Sequence, residues 1–229
     1  MSKIYREDEP FVRRLMSAGE DQIKSIAEWA HDFRDLMVCY KCAMMEMETK
    51  FNVLDEQFSL QHDRNPISSI KTRLKSPRSI IEKLERRGEP ITLDSVRSKM
   101  NDVAGVRVVC SFTDDVYRLA DALLSQDDIE HLETKDYIKN PKPNGYRSLH
   151  LIVAVPVFFE NEKMMMRVEI QLRTIAMDCW ASLEHQLSYK KDNEFTPESI
   201  DVLRECATLS AMLDEKMDGL RQEVLEDEE

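Results

Sequence analysis

Apolar residues recur at steps of three and four from Ile23 to Phe58, through Ile26, Ala30, Phe33, Met37, Tyr40, Met44, Met47, Phe51 and Leu54. That spacing predicts one long helix with a seam of about five heptads. Such a seam packs at least on the chain's own domain, and its length also suits contact with another subunit. The period then changes. Pro66 precedes the alternating run IKTRLK, in which Ile70, Thr72 and Leu74 point one way and Lys71, Arg73 and Lys75 the other. Ser76-Pro77 opens a helix that ends at Gly88, with Ser as N-cap and Pro at the first position.

The stretch DVAGVRVVCSF reads as a buried strand with Asp102 at its start, and Thr113-Asp114-Asp115 as the cap of a helix running through Leu124. A strand near 129–138 leads into the loop NPKPNG. After it come LHLIVAVPVFF and, beyond a turn at 160–163, the return strand MMMRVEIQLR. In that return strand Met166, Val168, Ile170 and Leu172 share one face, and Arg167, Glu169, Gln171 and Arg173 the other. Thr174 starts a helix carrying Trp180, Glu184 and His185. Past Asp192-Asn193, Thr196-Pro197 starts a last helix with a stripe from Ile200 to Val224, followed by an acidic tail. The expected fold is α+β: one mixed sheet of about five strands flanked by helices, with long helices at both chain ends. The division this suggests is a helical region over 1–64, an α+β domain over 65–192, and a C-terminal helix and tail over 193–229.

Composition changes the picture in one respect. The chain has 229 residues and a net charge of −12, which argues against a surface broadly adapted to nucleic acid. Yet Lys71 to Arg87 carries seven basic residues against Glu82 and Glu85. A solvated helix face is the plain reading of such a run. Here a strand also aims its cations to one side and a helix N-terminus follows, which suits a polyphosphate. No apolar run approaches the ~20 residues of a membrane span, and no secretory h-region opens the chain, so a cytoplasmic location is expected. Five cysteines do not make a disulfide framework, and the lone pair Cys39 and Cys42 sits in a helical pattern without a second pair or a nearby His.

Two carboxylates stand out by position: Asp102 begins a central strand, and Glu169 lies mid-strand on a polar face. Paired carboxylates can share a Mg²⁺ that neutralises transferring phosphates, and one of them can take a proton from an attacking hydroxyl. The familiar nucleotide signatures GxxxxGK[ST] and GxGxxG are absent, as are a serine-hydrolase elbow and HExxH.

Five blocks in order, NPISSIKTRLKSPRSIIEKLERRG, DVAGVRVVC, NGYRSLH, EIQLRT and CWASLEHQLSYK, resemble the synthetase domain of the RelA/SpoT family. The match spans about 65–190. The short length and flanking helices resemble its small alarmone synthetases of the RelQ type, and Arg147 stands where long bifunctional members usually carry Gln. The hydrolase domain of long members has no counterpart here; His31-Asp32 stands alone.

The resemblance implies a GTP diphosphokinase that moves pyrophosphate from ATP to the 3′-hydroxyl of GTP or GDP, giving (p)ppGpp and AMP in the stringent response. It implies that Arg73 and Arg107 stack on adenine, that Lys75, Ser79, Lys83 and Arg86 hold the ATP phosphates, and that Asp102 and Glu169 bind Mg²⁺, with Glu169 also the base. It implies guanine stacking on Tyr146, acceptor contacts from Lys142, His150 and Gln171, and a place near guanine for Asp178. It further implies a homotetramer with a central cleft for pppGpp. Two other readings stay open: a toxin-type relative that pyrophosphorylates tRNA, disfavoured by the charge, and a non-catalytic RNA-binding or assembly module, disfavoured by retention of Asp102 and Glu169.

Overall fold

Strands read as apolar throughout belong in the middle of a sheet, where both faces are covered. The computed structural model describes residues 20–62, 64–189 and 195–226. Its elements run α1 (Glu20–His62), β1 (Ile67–Leu74), α2 (Pro77–Arg87), α3 (Leu93–Lys99), β2 (Ala104–Cys110), α4 (Thr113–Leu124), β3 (Glu130–Asp136), β4 (Leu149–Phe158), β5 (Lys163–Thr174), α5 (Ile175–Tyr189) and α6 (Pro197–Glu226). The strands form one sheet in the order β1-β2-β5-β4-β3, with β2 and β5 parallel and the other pairs antiparallel. The expected mixed five-stranded sheet is present. The short helix α3, capped by Thr92 through the Ser95 amide, is an addition to the expected order.

The central strands β2, β5 and β4 carry the buried apolar rows, while the edge strand β3, EHLETKD, is exposed along almost its whole length. A charged edge discourages pairing with another chain. Pro156 lies in β4 beyond the last residue that pairs with β3, so its missing N–H removes no ladder bond on that side.

The seam of α1 is used within the chain. Phe33, Leu36, Tyr40, Met47, Phe51 and Leu54 are buried against the sheet face formed by Val106, Val108, Val153, Val168 and Ile170. The side chains of Ile23 and Ile26 lie outside the described residues, as do the break at Asp192-Asn193, the acidic tail and the segment before residue 20. Ser76 caps α2 by accepting from the Ser79 amide, and Gly88 ends it in the left-handed region at φ 68°.

One capping expectation is corrected. α4 begins after Phe112 without a side-chain cap, and Asp115 is buried, where it accepts both Arg64 Nη1 (2.8 Å) and Nη2 (2.6 Å). A bidentate arginine satisfies a buried carboxylate better than a frayed turn could, which explains why Asp115 turns inward.

α6 leans on α5 and on the rim of the sheet. Trp180 Nε1 donates to the Leu203 carbonyl (2.9 Å), Thr174 Oγ1 to Asp214 Oδ2 (2.9 Å), and the Arg221 guanidinium sits 4.7 Å from the Phe112 ring centroid. The far side of its apolar stripe stays bare: Leu209 is 65% exposed, Leu213 53% and Leu220 54%.

Candidate active site

The second face of the sheet is polar, and strand register decides what meets on it. Lys71 pairs with Arg107, Arg107 with Gln171, Gln171 with His150, and His150 with Lys135, a polar row across all five strands. The adjoining row brings Arg73, Gly105 and Glu169 together. A cleft of about 390 Å³ opens here, lined by Lys71, Thr72, Arg73, Lys75, Asp102, Gly105, Val106, Arg107, Glu169 and Gln171. Gly105 forms part of its lining; a Cβ there would meet nothing closer than the Arg73 carbonyl at 3.5 Å, so a larger side chain would fill cleft rather than clash with backbone.

Asp102 anchors one end. Its Oδ2 accepts from Lys75 Nζ (2.8 Å) and Lys83 Nζ (2.6 Å), while Oδ1 is buried without a partner. Burial pushes this carboxyl up, but the two ammonium groups outweigh it and hold it below its ordinary value. The preceding segment is pinned by Arg167 to the Ser98 carbonyl (2.8 Å) and by Arg87 to the Lys99 carbonyl (2.9 Å). Glu169 stands on the cleft wall. His150 Nδ1 is 3.4 Å from its Oε1, and Gln171 Nε2 donates to its Oε2 (3.2 Å). Burial raises this carboxyl too, and the contacts to His150 and Gln171 outweigh it, leaving it below its ordinary value.

A second cluster adjoins through Gln171. Tyr146 OH lies 2.8 Å from His150 Nε2, and Arg173 Nη2 donates to Tyr146 OH (2.6 Å) and to Gln171 Oε1 (2.7 Å). Burial pushes the Tyr146 phenol up and the Arg173 guanidinium down. Lys142 Nζ hangs 4.7 Å from the ring centroids of both Tyr137 and Tyr146. Asp178, in the first turn of α5, accepts from Arg107 (3.2 Å) and Arg173 (3.3 Å) and lies 3.7 Å from Lys71 Nζ.

Of the residues singled out in the sequence, Arg73, Lys75, Asp102, Arg107, Glu169 and Gln171 line the cleft, and Lys83 reaches it through Asp102. Lys142, Tyr146, His150 and Asp178 form the adjoining cluster. Ser79 sits at the start of α2, where its Oγ is 2.9 Å from Ser76 Oγ, and Arg86 is exposed on the last turn; neither lines the cleft. Arg173 was legible only as one of four polar residues on a strand face, yet it is 3% exposed and bonded to three members of the cluster. Lys71, read in the sequence as part of the basic strand, lines the cleft, while Lys135, on the same row, carries no signal beyond alternation.

The polar face of the sheet thus holds a cation-rich cleft with two carboxylates beside an aromatic and basic cluster. A family model described as "Region found in RelA / SpoT proteins" matches residues 72–194. GTP pyrophosphokinase YwaC of Bacillus subtilis is 43% identical over 204 residues, covering 89% of this chain and 96% of that protein. GTP pyrophosphokinase YjbM of the same organism is 35% identical over 191 residues, covering 83% and 89%. The structure of small alarmone synthetase 1 from Bacillus subtilis bound to its product pppGpp superposes with a TM-score of 0.77 at 32% identity, covering 84% of this chain and 98% of that one. The chain belongs to the RelA/SpoT family.

Proposed function

We propose that this chain is a (p)ppGpp synthetase. The guanine nucleotide's 3′-oxygen forms a bond to the β-phosphorus of ATP, the bond from that phosphorus to the α,β-bridging oxygen breaks, and AMP leaves. The hydroxyl proton goes to Glu169. The observation that carries this reading is that Glu169 borders both halves of the site. It stands in the cationic cleft and, through Gln171 and His150, touches the cluster built around Tyr146. On this reading Arg73, Lys75, Lys83 and Arg107 receive ATP, with Ser79 and Arg86 at the periphery, while Lys142, Tyr146, His150, Gln171 and Asp178 receive GTP or GDP. Positioning and electrostatics then do most of the catalysis. Incubation with ATP, Mg²⁺ and GTP should yield AMP and a guanosine pentaphosphate; ADP, or no change, overturns the reading.

The metal fits these residues. The Oδ1 of Asp102 is a buried acceptor without a hydrogen-bond partner, and the Glu169 carboxylate lines the same cleft. That is the donor set of a Mg²⁺ held by one or two carboxylates, with phosphates and water completing its shell. Asp102 and Glu169 would hold it, and it would supply charge neutralisation on the phosphates.

Tyr146→Ala is expected to raise the KM for the guanine nucleotide about tenfold or more while leaving that for ATP nearly unchanged, because stacking is worth about 1–3 kcal/mol per base. Tyr146→Phe, which keeps the ring, should recover most of the loss. Steady-state kinetics with each substrate varied in turn checks both, and equal effects on the two substrates would make Tyr146 a packing residue.

The bare stripe of α6 favours a second copy of the chain as its cover, since Leu209, Leu213, Met217, Leu220 and Val224 form an exposed apolar row at helical spacing, the kind of surface that marks an interaction site. We take the assembly to be a homotetramer, and light scattering should return a multiple of the chain mass; a value near one chain at micromolar concentration removes it. The RelQ (YjbM) subtype, read from the short length and flanking helices, carries a central cleft for pppGpp with it, so added pppGpp should accelerate the reaction. A cytoplasmic location is part of the same proposal, supported by the use of ATP and GTP.

A further inference from the structure

We propose that α6 is a positioning clamp for the acceptor-nucleotide loop, acting through Arg204 and Ala207. The loop is closed on itself by Gly145 N–H to the Lys142 carbonyl (2.8 Å) and Lys142 N–H to the Tyr146 carbonyl (3.1 Å). These bonds shape the turn but do not fix it to the rest of the molecule. α6 does. Arg204 Nε donates to the Pro143 carbonyl (2.6 Å), and its Nη1 donates to Asp201 Oδ1 (2.6 Å), which holds the guanidinium in place.

One helical turn along the same face, Ala207 is seated against Gly145. Gly145 has φ 93°, where L side chains are strained, and a Cβ added to it would lie 2.5 Å from Ala207 Cβ. The glycine therefore answers two demands: the turn's conformation and the direct approach of a helix.

Tyr146, the next residue, packs on a small apolar cluster of Trp180, Ala181, Leu203 and Ala207 that is separate from the main core. The ring is supported from behind by α5 and α6, and not by the sheet's apolar face. Disturbing this support should move the guanine platform while leaving the core, and the ATP side built by Lys75, Lys83 and Asp102, largely as they are. Arg204 and Ala207 touch no reacting group in this arrangement; they act through Gly145, Pro143 and Tyr146.

The inference rests on the synthetase reading for the identity of the ligand as a guanine nucleotide. Calorimetric titration of the full chain with GDP, without ATP, tests it apart from catalysis. Arg204→Ala should weaken GDP about fivefold to tenfold, the effect of losing a charge-assisted hydrogen bond, with the KM for ATP within twofold of the unmodified chain. Arg204→Lys, which can still donate to the carbonyl, should recover much of this. Ala207→Leu, which pushes the loop outward, should weaken GDP at least as much. GDP affinity within twofold of the unmodified chain in both Arg204→Ala and Ala207→Leu overturns the clamp, as does an equal loss for ATP and GDP. Should Ala207→Leu fail to fold, Arg204→Ala, a change at a half-exposed side chain, decides alone. If the unmodified chain binds GDP but makes no AMP from ATP, the synthetase reading fails while the binding loss in the variants still supports the clamp.

Discussion

Glu169→Gln is expected to lower kcat by about 10²–10⁴, the range a positioned base contributes, with little change in the KM of either nucleotide. The glutamine is nearly isosteric and can keep the bond from Gln171, so the wall of the cleft should hold its shape. What disappears is the anion. In the free enzyme Glu169 titrates below its ordinary value, because the contacts to His150 and Gln171 outweigh the burial that pushes it up. The ionised form therefore persists at neutral pH, and the acid limb of kcat/KM, which reports the free enzyme, should lie below the usual glutamate range. The sign for stability is the same: a depressed carboxyl stabilises the fold above its unfolded pKa and loses that contribution as pH falls through the folded one. Steady-state kinetics across pH on both proteins check this. Activity of Glu169→Gln within about tenfold of the unmodified chain would take Glu169 out of the proton transfer.

How much of this could be read from the chain depends on the range of the interaction involved. The α1 seam, the Ser76-Pro77 start and the Gly88 stop are local patterns with local causes, and they appear where expected. α3 carried its own signal, Thr92 with Ser95 three residues on, but seven residues offer too little periodicity to separate a helix from a loop. Asp115 was legible as polar and near a helix start; that it is buried depends on Arg64, 51 residues earlier. Arg173 shows the limit of alternation most clearly. Period two assigns it to the polar face with Glu169 and Gln171, yet Asp178 of α5 and Tyr146 of the preceding loop close over it and turn a solvent-facing position into a buried one. Arg204 has no sequence signal at all, because its partner is a carbonyl 61 residues away. The heptad seam raised the expectation of assembly; α1 buries Phe33 to Leu54 of it on its own sheet, and apolar side chains stay exposed both on α6 and on the outer side of α1, at Val38, Met45, Val53 and Leu60. Family resemblance supplied the grouping of the ATP and guanine residues; physical reading supplied the basic strand and helix, the two carboxylates and the tyrosine at the strand mouth.

Asp102→Asn should separate binding from turnover in the opposite sense to Tyr146→Ala. Among the described residues Asp102 alone accepts from Lys75 Nζ and Lys83 Nζ, and its second oxygen is buried and unpartnered. Removing its charge leaves two ammonium groups facing the cleft with less to neutralise them, so metal-free ATP should bind as tightly as before or more tightly, since the like charge that opposed the phosphates is gone. Turnover should fall by about 10³ or more, because charge neutralisation on the phosphates by a metal is worth several kcal/mol and each 1.36 kcal/mol is a factor of ten in rate. The fold should lose a little as well. Asp102 titrates below its ordinary value, burial being outweighed by Lys75 and Lys83, and the stability this gives above the unfolded pKa is what the amide cannot supply. Calorimetry with ATP in the presence of a chelator, and activity across a Mg²⁺ titration, read the two effects independently. Tight metal-free binding together with a large rise in the Mg²⁺ needed for half-maximal rate is the expected pair. A rate within tenfold of the unmodified chain at an unchanged Mg²⁺ requirement would mean that Asp102 serves only to space the two lysines, and that the unpartnered oxygen has no ligand.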